Sequence, residues 1–209
     1  MYYRRMDALS ADTAAFVLAG GKSTRMGSDK AFLVFDGNTL LARALESARS
    51  VTRDVRIVGS AEKFAAFAPV VEDVFRDCGP LGGIHAALRS SQAELNLVLA
   101  VDMPFASPEL LQYMVTRASH SDRIATVAQA GGGWQPLCAV YRREFADIAE
   151  NSLRTGHYKV DALFGNSTVQ SVSESELATV GVASQLFRNL NSINDMEAAR
   201  EGRGSCGDE

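Results

Sequence analysis

The stretch FVLAGGKSTRMGSDK, residues 16–30, decides both the fold class and the kind of ligand to expect. It begins as an apolar strand and ends that strand at two adjacent glycines, Gly20 and Gly21, which are followed by cationic side chains at Arg25 and Lys30. Glycines allow main-chain N–H groups to approach an anion without interference from a Cβ atom, and the cations can neutralise phosphate oxygens. The stretch therefore predicts a strand that runs into a polyphosphate-binding loop.

Two better-known phosphate loops do not fit this stretch. A Walker A loop would need a glycine at the position of Phe16, which lies inside the strand, although Gly21 and Lys22 match the end of that motif. The dinucleotide fingerprint fails because Lys22 and Arg25 stand where its second and third glycines should be. A flexible surface loop with incidental charge would explain the glycines, but it would not explain the charged residues that follow them at fixed spacing.

The rest of the chain alternates between strand and helix patterns. Thr13 to Ala19 is apolar and β-branched, and we expect it to be the central buried strand. The further predicted strands are 31–35, 54–59, 70–71, 94–101, 124–128, 136–141 and 168–172. The predicted helices are 40–48, 61–67, 79–90, 109–117, 142–153 and 159–164, with a last helix from residue 194 or 195. This alternation predicts a three-layer, Rossmann-like α/β fold, in which a mostly parallel sheet carries helices on both faces.

Length and composition favour a single domain. The chain has 209 residues and a hydrophobic content of 46%, which suits one sizeable α/β domain and is too short for two of ordinary size. We expect residues 1–12 to be a disordered N-terminal extension, residues 13–201 to form the domain, and residues 202–209 to be a disordered tail.

Several partners and compartments are disfavoured by the same composition. No apolar run approaches the ~18 residues of a spanning helix, and no secretory signal is present before Asp12, so we expect a cytoplasmic protein that does not bind membranes. The formal net charge is −4 and no long basic run occurs, which argues against nucleic acid as a partner.

Three separated cysteines without a C-x-x-C pair are expected to be reduced thiols. The three histidines, His85, His120 and His157, lack metal-ligand spacing and are interpreted as ordinary helix or loop residues.

Asp102 is the clearest candidate for a metal ligand. It closes the most apolar strand, where a lone carboxylate would be costly to bury without a cation. Mg²⁺ usually takes one or two carboxylates together with substrate phosphates, so few protein ligands are needed. The alternative is that Asp102 caps a turn or the helix near Ser107, but the separation of five residues makes direct capping awkward. Because ligands of such folds bind outside the carboxyl ends of the strands, we expect Asp102, Asp73 and the glycine loop to share one cleft.

Thirteen positions of the first stretch, Leu-Ala-Gly-Gly-x-Ser-x-Arg-Met-Gly-x-Asp-Lys, resemble the signature of sugar-nucleotidyltransferase-like enzymes. They are most similar to the molybdenum cofactor guanylyltransferases, and the resemblance spans roughly residues 14–199. It implies transfer of GMP from GTP to the phosphate of molybdopterin, with release of pyrophosphate and formation of molybdopterin guanine dinucleotide. It also implies a Mg²⁺ cofactor, and maturation factors for molybdoenzymes are further candidate partners.

The resemblance implies that the nucleotide is held by two glycine-containing segments and by charged side chains. Arg25 and Lys30 would hold the β and γ phosphates, and Asp102 would carry the metal, so these three are the expected catalytic residues. The expected nucleotide-binding residues are Leu18, Ala19, Gly20, Gly21, Arg25, Lys30, Asp73, Pro80, Leu81, Gly82 and Asp102. Arg25 and Lys30 could instead form surface ion pairs with Asp29 or Asp36.

The remaining expectations concern the acceptor and rival functions. The resemblance implies that Lys159, Asn189 and Asn191 contact the acceptor, and amides suit a pterin edge because they present paired donors and acceptors. Turn or cap chemistry would be the alternative role of the asparagines, and Asp73 could satisfy loop N–H groups at a strand end. Two other functions stay open: a CTP-dependent cytidylyltransferase of molybdopterin or another small phosphorylated metabolite, and a non-catalytic nucleotide-binding regulator.

Overall fold

The computed structural model describes residues 12–20, 29–165, 168–181 and 187. Within these ranges the strands, numbered along the chain, are β1 Thr13–Leu18, β2 Val34–Phe35, β3 Asn38–Thr39, β4 Asp54–Val58, β5 Val70–Val71, β6 Leu95–Ala100, β7 Ala125–Ala130, β8 Gly133–Arg142 and β9 Val169–Val172. The α-helices are α1 Leu40–Arg49, α2 Ala61–Phe64, α3 Gly79–Ser90, α4 Pro108–Ser119, α5 Phe145–Arg154 and α6 Glu174–Thr179. Two 3-10 turns lie at Lys30–Phe32 and Val160–Leu163.

Seven of these strands form one sheet in the order β5-β4-β1-β6-β8-β7-β9. All of them run in the same direction except β8, which is antiparallel to both of its neighbours. The prediction of a mostly parallel sheet is confirmed. β1 is an interior strand between β4 and β6, but the middle position of the seven belongs to β6 rather than to β1. The short strands β2 and β3 form a separate hairpin whose turn places Asp36 and Gly37 at positive φ.

Helices cover both faces of the sheet because its inner strands are apolar on both faces. All six residues of β1 are buried. Ala15 and Val17 belong to a core cluster that includes the buried faces of α1, α4 and α6. Ala14 and Phe16 belong to a second cluster with α3 and α5. This burial on both sides is typical of parallel strands in three-layer α/β folds.

Helix starts follow the cap chemistry of the sequence. The Thr39 hydroxyl accepts a hydrogen bond from the Ala42 N–H at 3.1 Å and begins α1, and the Ser107 hydroxyl accepts one from Leu110 at 3.3 Å and begins α4. In each case the cap satisfies a backbone donor that the first helical turn leaves free.

Some predicted boundaries were wrong. The helix predicted from Arg142 begins at Phe145, because Arg142 ends β8 and its guanidinium donates to the Ser121 carbonyl at 2.8 Å. Of the strand predicted at 31–35, only Val34–Phe35 is extended, as β2, because the 3-10 turn Lys30–Phe32 precedes it. The segment 159–164 contains a 3-10 turn instead of the expected α-helix, and α6 was not predicted. The helix predicted from residue 194 or 195 lies outside the described residues.

The part of the chain that the structure describes begins at Asp12, the last residue of the predicted extension. Asp12 was assigned to the extension, but its carbonyl accepts a hydrogen bond from Leu95 at 3.1 Å and its carboxylate accepts one from Glu94 at 2.9 Å. Residues 1–11 and 202–209, which were predicted to be disordered, lie outside the described part of the chain. No helix in the described ranges is long and apolar enough to span a bilayer.

The carboxyl ends of four neighbouring strands are tied together just past the sheet. The Ala19 and Gly20 N–H groups both donate to the Val58 carbonyl, at 3.0 and 3.2 Å. Val101 donates to the Leu18 carbonyl at 3.1 Å, and Gly59 donates to the Val71 carbonyl at 3.0 Å. The loops that leave β1, β4, β5 and β6 therefore begin from one continuous edge.

Gly82 allows the loop after β5 to pack directly on α3. A Cβ atom at this position would lie 2.7 Å from the carbonyl oxygen of Phe75, a backbone atom that cannot rotate away. Gly133, at the exposed start of β8, has no heavy atom within 4 Å of such a Cβ.

We predict that Gly82→Ala destabilises the fold although alanine is the better helix former by about 1 kcal/mol. The clash with the Phe75 carbonyl should lower the free energy of unfolding by about 1–3 kcal/mol and the thermal midpoint by several degrees. Calorimetry of this variant beside Gly133→Ala measures the difference. Equal thermal midpoints for the two variants would contradict the close approach.

Candidate functional site

Lys30 and Asp102 meet at the carboxyl edge of the sheet. The Lys30 ammonium lies 3.6 Å from the Asp102 carboxylate, and the two side chains are 23% and 21% exposed. Lys30 begins the 3-10 turn Lys30–Phe32, and Asp102 follows β6. The structure thus brings together one predicted phosphate-binding cation and the predicted metal carboxylate.

Lys30 is presented by a short capped turn. One oxygen of Asp29 accepts a hydrogen bond from the Ala31 N–H at 3.2 Å, and this begins the 3-10 turn Lys30–Phe32. The other oxygen pairs with the Lys63 ammonium at 2.8 Å. Asp29 is therefore engaged by Lys63, and Lys30 pairs with Asp102. Lys63 was not found from the sequence, since it lies on α2 and no local motif includes it.

The loop after Asp102 is braced from α1. Arg43 donates to the Pro104 carbonyl at 3.4 Å, and its guanidinium carbon lies 5.4 Å from the centroid of the Phe35 ring. The Phe35 ring in turn meets Phe105 edge-on at 5.4 Å. Ser107 itself caps α4, so the alternative in which Asp102 caps that helix is not what the structure shows.

Burial and the neighbouring cation act on Asp102 in opposite directions. Burial raises the pKa of the Asp102 carboxyl above its usual range, and the Lys30 ammonium lowers it only in part. The carboxylate therefore occupies a position where further positive charge would be favourable. The described residues contain no group of three or more His, Cys, Asp or Glu side chains that could hold a metal. A single carboxylate of this kind fits an ion such as Mg²⁺, which takes most of its ligands from phosphates and water.

Asp73 lies at the end of β5, beside the start of α3. Its Oδ1 atom is buried and has no hydrogen-bond partner among the described residues. Burial raises the pKa of this carboxyl, and His85 lowers it in part. The alternative that Asp73 satisfies loop N–H groups finds no support in the described hydrogen bonds.

The two glycine-containing segments predicted to hold the nucleotide pack against each other. A Cβ atom built at Gly83 would lie 3.2 Å from a methyl carbon of Leu18, so the end of β1 contacts the first turns of α3. Leu18 is 9% exposed and Leu81 is fully buried, so both side chains belong to the core. Of the predicted nucleotide-binding residues, these two can offer a ligand only their backbone, whereas Pro80 and Gly20 are exposed.

Only part of the predicted acceptor site can be located. Lys159 is exposed and directly precedes the turn Val160–Leu163. Its ammonium makes no ion pair with the described residues. Gly21, Arg25, Asn189 and Asn191 lie outside the described ranges.

Two shallow hollows lie at the opposite edge of the sheet. They measure about 380 and 210 Å³, and both are lined by Arg143 and Glu144, which follow the amino-edge end of the reversed strand β8. Their walls carry charges of both signs and include none of the predicted site residues.

A sheet of this order, with a first strand that leads into Gly20 and a lysine–aspartate pair at its carboxyl edge, defines an α/β nucleotidyltransferase. The chain belongs to the MobA-like NTP transferase domain family, whose model matches residues 15–170.

Relatives across the full domain agree with this family. The chain is 36% identical to a probable molybdenum cofactor guanylyltransferase of Pelotomaculum thermopropionicum, over 88% of this chain and 90% of that protein. It is 32% identical to a molybdenum cofactor guanylyltransferase of Syntrophotalea carbinolica, over 91% and 92%. The crystal structure of molybdopterin-guanine dinucleotide biosynthesis protein A from Archaeoglobus fulgidus matches with a TM-score of 0.79 at 26% identity, over 91% of this chain and 98% of that chain.

We predict that Lys30→Met raises the pKa of Asp102 further in metal-free protein. The substitution removes the charge and the hydrogen bond that lower this pKa and leaves the effect of burial, which raises it. Carboxyl ¹³C NMR titration measures the change. Lys63→Met is the matched control, since it removes a lysine that pairs with Asp29 and should leave the Asp102 titration unaltered. The same Asp102 titration in both variants would contradict the pairing.

Proposed function

We propose that this protein transfers GMP from GTP to the phosphate of molybdopterin, releasing pyrophosphate and forming molybdopterin guanine dinucleotide. The observation that carries the proposal is the Lys30–Asp102 pair at the sheet edge where the β1 strand ends in its glycine turn. Membership of the MobA-like NTP transferase family and the names of the relatives support the same reaction. We place the reaction in the cytoplasm, with molybdoenzyme maturation factors as candidate partners.

The proposed chemistry needs alignment and charge stabilisation more than a general base. The oxygen of a phosphomonoester acceptor is already anionic at neutral pH, so it can attack the α-phosphorus directly. The bond from the α-phosphorus to the bridging oxygen breaks, and its electron pair leaves on pyrophosphate. Lys30 and Arg25 hold the β and γ phosphates and stabilise the charge that accumulates there.

Asp102 is the proposed ligand of Mg²⁺. Asp102, which lies beside Lys30, would hold Mg²⁺, and the bound ion would supply positive charge to the triphosphate. The partial burial of Asp102 strengthens its interaction with any cation, since the local dielectric is lower than in water.

The base and the acceptor are assigned to two different sets of residues. Backbone groups at Gly20 and at the start of α3, together with Asp73, form the proposed guanine side. Backbone donors and acceptors can discriminate strongly between bases, because a wrong base leaves buried polar groups unpaired. Lys159, Asn189 and Asn191 form the proposed pterin side.

We predict that Asp102→Asn lowers kcat/KM for Mg²⁺-dependent pyrophosphate release by on the order of 10²-fold or more, because a preorganised charge is lost. The assay contains GTP and molybdopterin. Asp54→Asn is the matched control, since Asp54 is exposed at the opposite edge of the sheet and pairs with Arg56. Activity of Asp102→Asn equal to that of the control would overturn the metal assignment.

We also predict that molybdopterin is nucleotidylated faster with GTP than with CTP. Parallel assays with the two nucleotides measure kcat/KM for each. A preference for CTP would assign the protein to the cytidylyltransferases and remove the guanine assignment. Nucleotide binding without pyrophosphate release from any nucleoside triphosphate would favour a regulator.

A further inference from the structure

His85 is buried beneath the loop that carries Asp73. It lies on α3, is 3% exposed, and meets the Phe75 ring edge-on at a centroid distance of 5.1 Å. The same loop packs on α3 at Gly82, where the Phe75 carbonyl leaves no room for a Cβ atom. The imidazole therefore faces the loop two residues after Asp73.

One nitrogen of the imidazole is engaged by charged groups. His85 Nε2 lies 3.4 Å from the Arg89 Nε and 3.4 Å from a Glu150 carboxylate oxygen. Arg89 donates to the same Glu150 oxygen at 2.6 Å, and Arg154 donates to the other oxygen at 2.7 Å. Arg154 also lies over the Phe75 ring, 6.0 Å from its centroid. The charged groups around the ring are thus Arg89 on α3, Glu150 and Arg154 on α5, and Asp73 on the loop.

These contacts decide which nitrogen carries the proton of the neutral ring. The Arg89 Nε–H can only donate, so its hydrogen bond to His85 needs a lone pair on Nε2. Glu150 takes its two shortest hydrogen bonds from Arg89 and Arg154, at 2.6 and 2.7 Å, and hydrogen bonds from Arg154, Arg89 and, to a smaller extent, His85 lower the pKa of this carboxyl to about 2. The ring proton therefore belongs on Nδ1.

The Nδ1 atom of His85 and the Oδ1 atom of Asp73 are complementary and both unsatisfied. Each is buried and has no hydrogen-bond partner among the described residues. Buried polar groups are nearly always hydrogen-bonded, directly or through an ordered water. The two residues are also close enough for the imidazole, when it is protonated, to lower the pKa of Asp73.

We propose that the Nδ1–H of His85 holds the Asp73 carboxylate in place through one water, and that His85 is a positioning residue for GTP binding. This rests on the proposed function, in which Asp73 contacts the nucleotide. The contacts of Nε2 fix the position of the His85 ring relative to α5. The hydrogen bond from Nδ1 then fixes the position of the loop that carries Asp73. His85 itself touches no substrate.

Two substitutions at His85 separate this role from ordinary helix packing. In His85→Asn the amide nitrogen reaches the Nδ1 position, and in His85→Gln the amide reaches the Nε2 position. We expect His85→Gln to raise the KM for GTP about tenfold, as for loss of a hydrogen bond to a charged group, with kcat much less changed. We expect His85→Asn to keep a KM for GTP close to that of the unaltered protein. His120→Gln, at the exposed C-terminal end of α4, is the matched control.

The opposite pattern, in which His85→Asn raises the KM for GTP more than His85→Gln, would show that only the contacts with Arg89 and Glu150 matter and would overturn the proposal. Unchanged KM values in both variants would overturn it as well. A double variant with Asp73→Ala adds a second test, because His85→Gln should raise the KM little further once Asp73 is absent.

A measurement without substitutions covers the case in which a variant fails to fold. Long-range ¹H–¹⁵N NMR should show His85 as the Nδ1–H tautomer, with the Nδ1 resonance shifting when GTP is added. An Nε2–H tautomer, or no response to GTP in active protein, would overturn the proposal. If the proposed function itself were wrong, the result would differ, because the unaltered protein would release no pyrophosphate with GTP and molybdopterin.

Discussion

The parallel pairing of β1 with β6 is the constraint on which the rest of the site depends. The register runs from Thr13 opposite Leu95 to Leu18 opposite Ala100, so both strands end at the same level. Ala19 and Gly20 after β1 and Asp102 after β6 therefore leave the sheet side by side. A parallel arrangement places successive carboxyl ends at one edge, and the intervening segments return on the faces of the sheet. Lys30 reaches Asp102 because its own turn starts from that edge.

The Lys30–Asp102 pair is partly buried, and this intermediate degree of burial matters for its chemistry. Full exposure would let solvent screen both charges, and full burial would favour loss of charge from the carboxyl group. At about one-fifth exposure of each side chain, burial still outweighs the lysine in its effect on the pKa of Asp102. Lys30 therefore compensates the negative charge of the Asp102 carboxylate only in part. That is the property expected of a residue that shares a cation with a triphosphate.

Helices on each face brace the loops of the edge through long polar side chains. Arg43 of α1 holds the loop after Asp102 from one face, through the Pro104 carbonyl and the Phe35 ring. On the other face, the ring of His85 and the guanidinium of Arg154 lie against Phe75, in the loop that carries Asp73. Both braces link an apolar ring to a charged or polar group, which fixes the loop backbone while its carboxylate stays available at the edge. The sheet supplies the position of the site, and the helices supply its rigidity.

The sequence by itself determined the local features of this protein. The apolar run into Gly20, the caps at Thr39 and Ser107, and the alternation of strands and helices predicted the α/β fold because each depends on neighbouring residues. Asp102 was predicted to be a site residue for the same reason, since it stands at the end of an apolar strand. The partners of the site residues were decided only by the tertiary structure. Pairing of Asp29 with Lys63, of Arg43 with Pro104, and of His85 with Glu150 joins residues that are distant along the chain. Such contacts depend on strand order and helix packing, and no spacing in the sequence encodes them.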